Sequence, residues 1–330
     1  MTQQGGPSFV PRVSMYDAQA QNRWRTVLLI VAFTLIVVAV AFVFGDILGG
    51  STSAGVTFIP IAILFSAGSS LFSYYVGDRL VLAQSRARAV GDGEEKVLRD
   101  VVETLALGLG IPTPALYVIE DPAPNAFATG RDPKHASVVV TRGLLDTMDR
   151  SELEGVIAHE LSHVGNRDIR VMLLVTVLVG TVALLSDWLL RSMWWGGRSR
   201  DRDRSGGGGI LLLVGIVLAI LTPIIATLIQ LAVSRQREYL ADASSVQLTR
   251  NPYGIERALA KISSDKDVLE VANRATQHMY FTNPIKKFEE RASGLFSTHP
   301  TTLDRINRLR ELTGDQPLDG AEAAQLTGLD

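Results

Sequence analysis

The chain has 330 residues, 47% of them hydrophobic and 20% charged, with a net charge of −2 and a mean hydropathy of +0.20. Positive hydropathy does not fit an ordinary water-soluble domain and points to a polytopic membrane protein. Balanced charge offers no basic field for nucleic acid, and the lack of cysteine excludes disulfides and thiolate ligands, so any metal must be held by nitrogen and oxygen.

Four apolar stretches appear along the chain. The first, Thr26 to Gly45, carries no charge, and at about 1.5 Å per residue it can cross a hydrocarbon core of roughly 30 Å. It is too long for a signal-peptide core and lacks a clear cleavage site, so it is expected to remain as an anchor. The second lies within the uncharged run Ile47 to Gly77, best placed at 56–76 because Gly49 to Gly55 look like a turn. The third, Val171 to Ser186, has only 16 uncharged residues, which suits either a short span or a re-entrant segment. Asp187, Arg191 and the nearby Trp188, Trp194 and Trp195 fit a helix end at headgroup level. The fourth, Ile210 to Val233, contains Pro223, which membrane helices tolerate.

Basic residues set the orientation. Arg12, Arg23 and Arg25 precede the first span, and Arg79, Arg86, Arg88, Arg167, Arg170, Arg235 and Arg237 favour the same, cytosolic side. Arg191, Arg198, Arg200, Arg202 and Arg204 fall on the other side and conflict with this scheme, in which the first helix dominates.

The expected organisation is therefore a cytosolic segment (1–25), two spans (26–76), a first polar part (77–170), two more spans with a Gly/Arg-rich loop at 191–209 (171–233), a second polar part (234–313) and a flexible tail (314–330). The two polar parts can share one core if both face the same side. In the first, 94–109 reads as a helix, Ala115 to Ile119 and Ala136 to Thr141 as short strands, and Ser151 as a helix start, with Glu154 completing a capping box. In the second, Asn251-Pro252 opens a helix, and Thr301 to Leu312 has apolar residues at helical intervals.

The chemistry is concentrated at His159, Glu160, Leu161, Ser162 and His163, an H-E-x-x-H pattern among apolar residues at helical spacing. Residues four apart lie one above the other on a helix, so both imidazoles can reach one Zn²⁺ while Glu160 is aimed beside it. With five histidines in the chain, chance would produce the pattern about once in a hundred such sequences. A catalytic zinc usually takes a third protein ligand and keeps a position for water. Glu238 is the candidate, with Asp242 one turn further on to receive the outer N–H of a ligating imidazole. His135 and His278 have no supporting motif, and Asp168 reads as a polar residue at the membrane boundary.

Several separated motifs together resemble the HtpX-type membrane zinc metalloproteases, relatives of the CAAX prenyl endopeptidases. They are Pro124 to Gly130 (P-N-A-F-A-T-G), His159 to Asp168 (H-E-L-S-H-V-G-N-R-D), Arg237 to Asp242 (R-E-Y-L-A-D) and Ser297 to Pro300 (S-T-H-P). The resemblance implies an α-helical membrane protein with about four transmembrane helices and a mainly α (α+β), gluzincin-like zinc metalloprotease domain. It implies one Zn²⁺ per chain on His159, His163 and Glu238, Glu160 as catalytic acid and base, and Asp242 behind a ligand. Asn125 and Ala126 match a segment that lines the substrate cleft; a turn after Pro122 and Pro124 is the plainer reading. His299 matches a histidine that stabilises the oxyanion in relatives, against a capping role before the last helix.

The expected activity is zinc-dependent endoproteolysis of membrane proteins or their cytosolic segments, in protein quality control at a bacterial-type plasma membrane, with the active site facing the cytoplasm. Expected partners are membrane-protein or unfolded polypeptide substrates and the bilayer; nucleic acid is not one, and homo-oligomers are compatible with the sequence. The alternatives are a dedicated processing peptidase of the prenyl-protein type, or a non-catalytic membrane scaffold that retains zinc.

Overall fold

The computed structural model describes residues 15–49, 51–181, 235–265, 269, 279–282, 300–319 and 322. The expected fourth span, His278, His299, the Arg-rich loop and most of the tail lie outside them. Among the described residues the chain is mainly helical, with one four-stranded sheet.

Helices α1 (Met15–Gly49) and α2 (Thr52–Gln84) form an antiparallel hairpin. The turn is tighter than the expected 49–55, because Ser51 caps α2 by accepting the Ala54 N–H and Gly55 is already helical. A β-carbon on Gly55 would lie 2.8 Å from Phe42 O, and Thr34 and Ser66 share a hydrogen bond of 2.7 Å across the pair. Close backbone approach through small residues, with hydroxyl pairs between helices, is the packing mode of helices in lipid. Both helices are long and apolar enough to cross a membrane. Leu28, Val31, Leu35, Ile61, Leu64 and Leu71 point outward, unlike the side chains of a buried soluble helix.

The sheet has the order β1-β2-β4-β3, with β1 (Arg88–Ala89) and β3 (Ala126–Gly130) antiparallel to their neighbours and β2 (Ala115–Ile119) parallel to β4 (Ala136–Thr141). The two predicted strands are therefore present, and β3, which the sequence reading left as a cleft segment or a turn, joins them. β4 is buried along its whole length, in keeping with its unbroken Val138-Val139-Val140 run. Leu116, Val118, Val138 and Val140 face one core with helix α3 (Lys96–Leu109) and helix α5 (Arg150–Gly165). Ile119, Phe127 and Val139 face a second core with Val81 and Leu82 of α2 and with Met172, Leu173 and Val177. The sheet thus stands between a helical layer and the ends of the candidate membrane helices. Short α4 (Arg142–Thr147) leads from β4 into α5.

Helix α5 begins two residues earlier than the sequence suggests. Its cap is Asp149, which accepts the Glu152 N–H at 2.9 Å while the Glu152 carboxylate accepts the Asp149 N–H at 2.9 Å. Ser151 instead receives a hydrogen bond from Asn251, and Glu154 pairs with Arg150. Asp149 wins because Glu152 is also held by Lys261 at 2.7 Å, a tertiary contact that local spacing cannot reveal. At its other end α5 does not run on into the third apolar stretch. Asn166 and Arg167 form a turn, with Arg167 at φ 61°, and a new helix, α6, begins at 168 and is described to 181.

Three more helices complete the described fold: α7 (Arg235–Thr249), α8 (Pro252–Ser264) and α9 (Thr302–Thr313). Helices α5 and α8 cross where Gly155 meets Gly254 and Ile255; a β-carbon on Gly155 would come within 2.6 Å of Ile255 N. Gly165, on the same helix, faces open space. Gly155→Ala should therefore cost about 1–3 kcal/mol of stability, and Gly165→Ala should be neutral or slightly stabilising. Thermal unfolding of the two variants in detergent checks this contrast.

Candidate active site

Helix α5 is buried on nearly all sides, yet it carries His159, Glu160, Ser162 and His163. Buried polar groups persist only when they are paired, and each of these finds a partner. Ser162 donates to Ala158 O within the helix. His159 Nδ1 lies 2.8 Å from Asp242 of α7, and His163 Nδ1 lies 3.0 Å from Asp168 at the start of α6. A carboxylate behind each Nδ1 fixes the tautomer with the proton on Nδ1 and turns the Nε2 lone pair inward.

The two Nε2 atoms face each other at 3.2 Å, and the Glu238 carboxylate lies 3.7 Å from that of His159 and 3.6 Å from that of His163. All three residues are buried. Three electron-pair donors this close repel one another unless a proton or a metal cation lies among them. Tetrahedral zinc with bonds of about 2.0–2.2 Å separates neighbouring donors by roughly 3.3–3.6 Å, close to the spacing found. The donor set of two imidazoles and one carboxylate fits zinc.

Behind Asp242 stands Arg305 of α9, one of the most deeply buried side chains. Its Nε and Nη2 donate to the two Asp242 oxygens at 2.9 and 2.6 Å, and its Nη1 donates to Phe281 O at 2.9 Å. Asp168 likewise accepts from Arg237 Nη1, at 3.1 Å, and from Asn22 of α1, at 2.7 Å. The sequence reading missed Arg305, Arg237 and Asn22 and took Asp168 for a boundary residue. One signal was available for Arg305: it falls on the stripe of α9 that buries Ile306 and Leu309, where an unpaired cation would be untenable.

Burial alone would push these carboxylates toward neutrality. For Asp242 the guanidinium of Arg305, and for Asp168 the hydrogen bond from His163 together with Arg237, overcome it and hold both below the usual carboxylate range. For His159, burial and the Arg305 charge favour the neutral ring, but hydrogen bonds to Asp242 and Glu238 outweigh them and raise its pKa to about 9. Glu160 moves up instead: burial dominates, countered only in part by the two histidines and by the Ala128 N–H, which donates to its carboxylate.

Ala128 belongs to the edge strand β3, so that strand reaches the site directly. Asn125 and Ala126 lie just upstream and are engaged by the chain itself. The Asn125 amide donates to Thr282 O at 3.1 Å, and Ala126 O accepts the Phe281 N–H at 2.8 Å. The Phe281 ring stands edge-on to His159, with centroids 4.9 Å apart.

The model of Peptidase family M48 matches residues 92–313, a range that holds every residue of this cluster except Asn22. The chain belongs to peptidase family M48. It is 45% identical over 304 residues to a protein named Protease HtpX homolog from Thermoanaerobacter pseudethanolicus, covering 92% of this chain and 99% of that one. A protein of the same name from Streptococcus uberis is 41% identical over 301 residues, covering 90% and 100%. Among solved structures, Ste24p of S. mikatae aligns with a TM-score of 0.45 at 19% identity, over 82% of this chain and 62% of that one. The expected resemblance to the HtpX-type metalloproteases is thus borne out, and the chain is an M48 peptidase with the His159, His163 and Glu238 triad in place.

Two outcomes follow from this geometry. Zinc requires a neutral His159, so metal uptake by the zinc-free protein displaces its proton, and affinity should rise about tenfold per pH unit up to about pH 9, then level off; competition with a chelator across pH 7 to 10 measures it. Arg305→Met leaves Asp242 buried without its cation and should cost roughly 3–5 kcal/mol, partly recovered in the double variant with Asp242→Asn. Chemical unfolding in detergent reads both.

Proposed function

We propose that this M48 peptidase is a zinc-dependent membrane endopeptidase that cleaves membrane proteins, or segments of them close to the bilayer, in protein quality control. The single observation that carries the reading is the three-donor pocket backed by carboxylates, with the proton-accepting Glu160 beside it on the same helix. Three protein ligands leave a coordination position for water, as in catalytic rather than structural zinc sites. Bound zinc would acidify that water and polarise a peptide carbonyl. Glu160, with its raised proton affinity, takes the water's proton and delivers it to the leaving amine. A substrate backbone would run along the β3 edge toward Glu160, in the manner of strand addition. His299, before α9, is kept as the proposed oxyanion partner.

Proximity to the bilayer supports the choice of substrate. β3 ends at Gly130 beside α2: Arg131 lies over the Tyr75 ring at 5.6 Å, and Arg170 lies over Tyr74 at 5.6 Å and donates to Arg131 O. Paired tyrosines and arginines at the end of an apolar helix suit the headgroup level. In this reading four helices cross a bacterial-type plasma membrane and the site faces the cytoplasm, beside the ends of the spans.

Glu160→Gln loaded with zinc should lose at least about a hundredfold in cleavage of an unfolded reporter while keeping its metal, since Glu160 is not a ligand. Retained cleavage would count against the reading. A membrane-tethered substrate should be cut faster than the same segment free in solution at matched effective concentration; equal rates would remove the case for bilayer-proximal substrates.

A further inference from the structure

Helix α1 does more than pack against α2. Trp24, Val27, Leu28, Val31 and Leu35 form an exposed apolar face, while on the opposite side, with the buried Leu29 and Phe33, Asn22 is 2% exposed. The Asn22 amide uses both of its N–H groups: one goes to Asn166 O at 3.0 Å and the other to Asp168 Oδ1 at 2.7 Å. Its own Oδ1 has no hydrogen-bond partner in its buried position. Flipping the amide would aim that oxygen at a carbonyl and a carboxylate, so the chemistry fixes its orientation. An amide kept at this cost is held for what it donates to. One turn earlier, Gln19 donates to Gly165 O at 2.9 Å, satisfying one of the carbonyls that the end of α5 leaves open.

The other oxygen of Asp168, Oδ2, receives His163 Nδ1 at 3.0 Å. A chain of direct hydrogen bonds therefore leads from the first candidate membrane helix through one carboxylate to a metal-binding imidazole. Between Oδ1 and Oδ2 the carboxylate has little freedom: Asn22 and Arg237 hold one oxygen and His163 the other. The turn at 166–167, with Arg167 in the left-handed region, places Asp168 within reach of both sides.

We propose that Asn22 is a positioning residue of the metal site: by orienting Asp168 it sets the geometry of His163, so the placement of α1 in the membrane governs zinc affinity. This rests on His163 being a zinc ligand. A shift of α1 along its axis, from a change in bilayer thickness or a partner helix, would withdraw the Asn22 donor from Asp168 Oδ1 and leave Arg237 alone on that oxygen, loosening the orientation of His163.

The test is zinc affinity of the full chain in nanodiscs, by chelator competition, with the melting temperature of the zinc-free protein as a check on folding. Asn22→Ala and the isosteric Asn22→Asp, which lacks the donor, should weaken zinc binding about tenfold or more. Thr26→Val, which removes only a hydrogen bond within α1, should not. Gln19 supports α5 but does not touch Asp168, so Gln19→Ala should leave zinc affinity within a few-fold of wild type. Wild-type affinity in both Asn22 variants, or an equal loss in Gln19→Ala, would overturn the proposal, the latter by assigning the effect to helix docking. His163→Ala separates the two levels: it should lose zinc outright, and if it does while Asn22 variants bind normally, the zinc site stands and the role of α1 falls. Retention of zinc by His163→Ala would overturn both.

Discussion

Everything near the centre of this molecule answers to one constraint: two imidazoles in a dry interior, each backed by a carboxylate. A buried carboxylate is costly without a cation or donors of its own, and the chain supplies them twice. Outward from His159 come Asp242 and then Arg305; outward from His163 come Asp168 and then Arg237 with Asn22. Charge alternates along each path, so no ion is left alone in a low-dielectric interior. The paths end on different elements, α9 in one case and α7 with α1 in the other. The metal-binding geometry is thus tied to parts of the chain far apart in sequence, and these positions are mutually dependent. Removing Arg305 leaves the buried Asp242 charge without its cation.

The sheet gives that arrangement its place. One face packs on α3 and α5, and the other on the ends of α2 and α6, so the strands act as a plate between the peptidase helices and the candidate membrane helices. β3, at the plate's edge, meets the site through Ala128 and meets α2 through Arg131 and Tyr75. The segment Met279 to Thr282 lies on the same edge, fastened by Asn125 and Arg305. Close glycine contacts at Gly155 and Gly254 let α8 brace α5 from behind. The ligand-bearing helix is therefore fixed on several sides before any metal arrives, which lowers the ordering cost of binding.

How much of this could be read from the residues depended on the range of the interaction. H-E-x-x-H and Glu238 with Asp242 were legible because helix geometry alone brings residues four apart together, and the apolar Val run of β4 was legible because burial on both faces has its own pattern. The start of α5 was misread because two overlapping capping boxes are spelled there, and Lys261, more than a hundred residues on, decides for Asp149 and Glu152. The break between α5 and the third apolar stretch falls at Asn166 and Arg167, neither of which is a strong helix breaker, so nothing local in the residues announces it. Asp168, Arg305 and Asn22 were passed over for the same reason: each acts through partners that only the folded chain assembles. Asn125 and Ala126 were picked out by motif, and they stand just before and at the start of β3, bonded to Thr282 and Phe281.

The most direct measurement on the central claim is zinc K-edge X-ray absorption of the full chain in lipid, with one equivalent of metal. The account predicts a four-coordinate shell at about 2.0–2.2 Å containing two imidazole nitrogens, with the rest oxygen from Glu238 and exchangeable water. A shell of three or more imidazoles, or one with no imidazole at all, would contradict it.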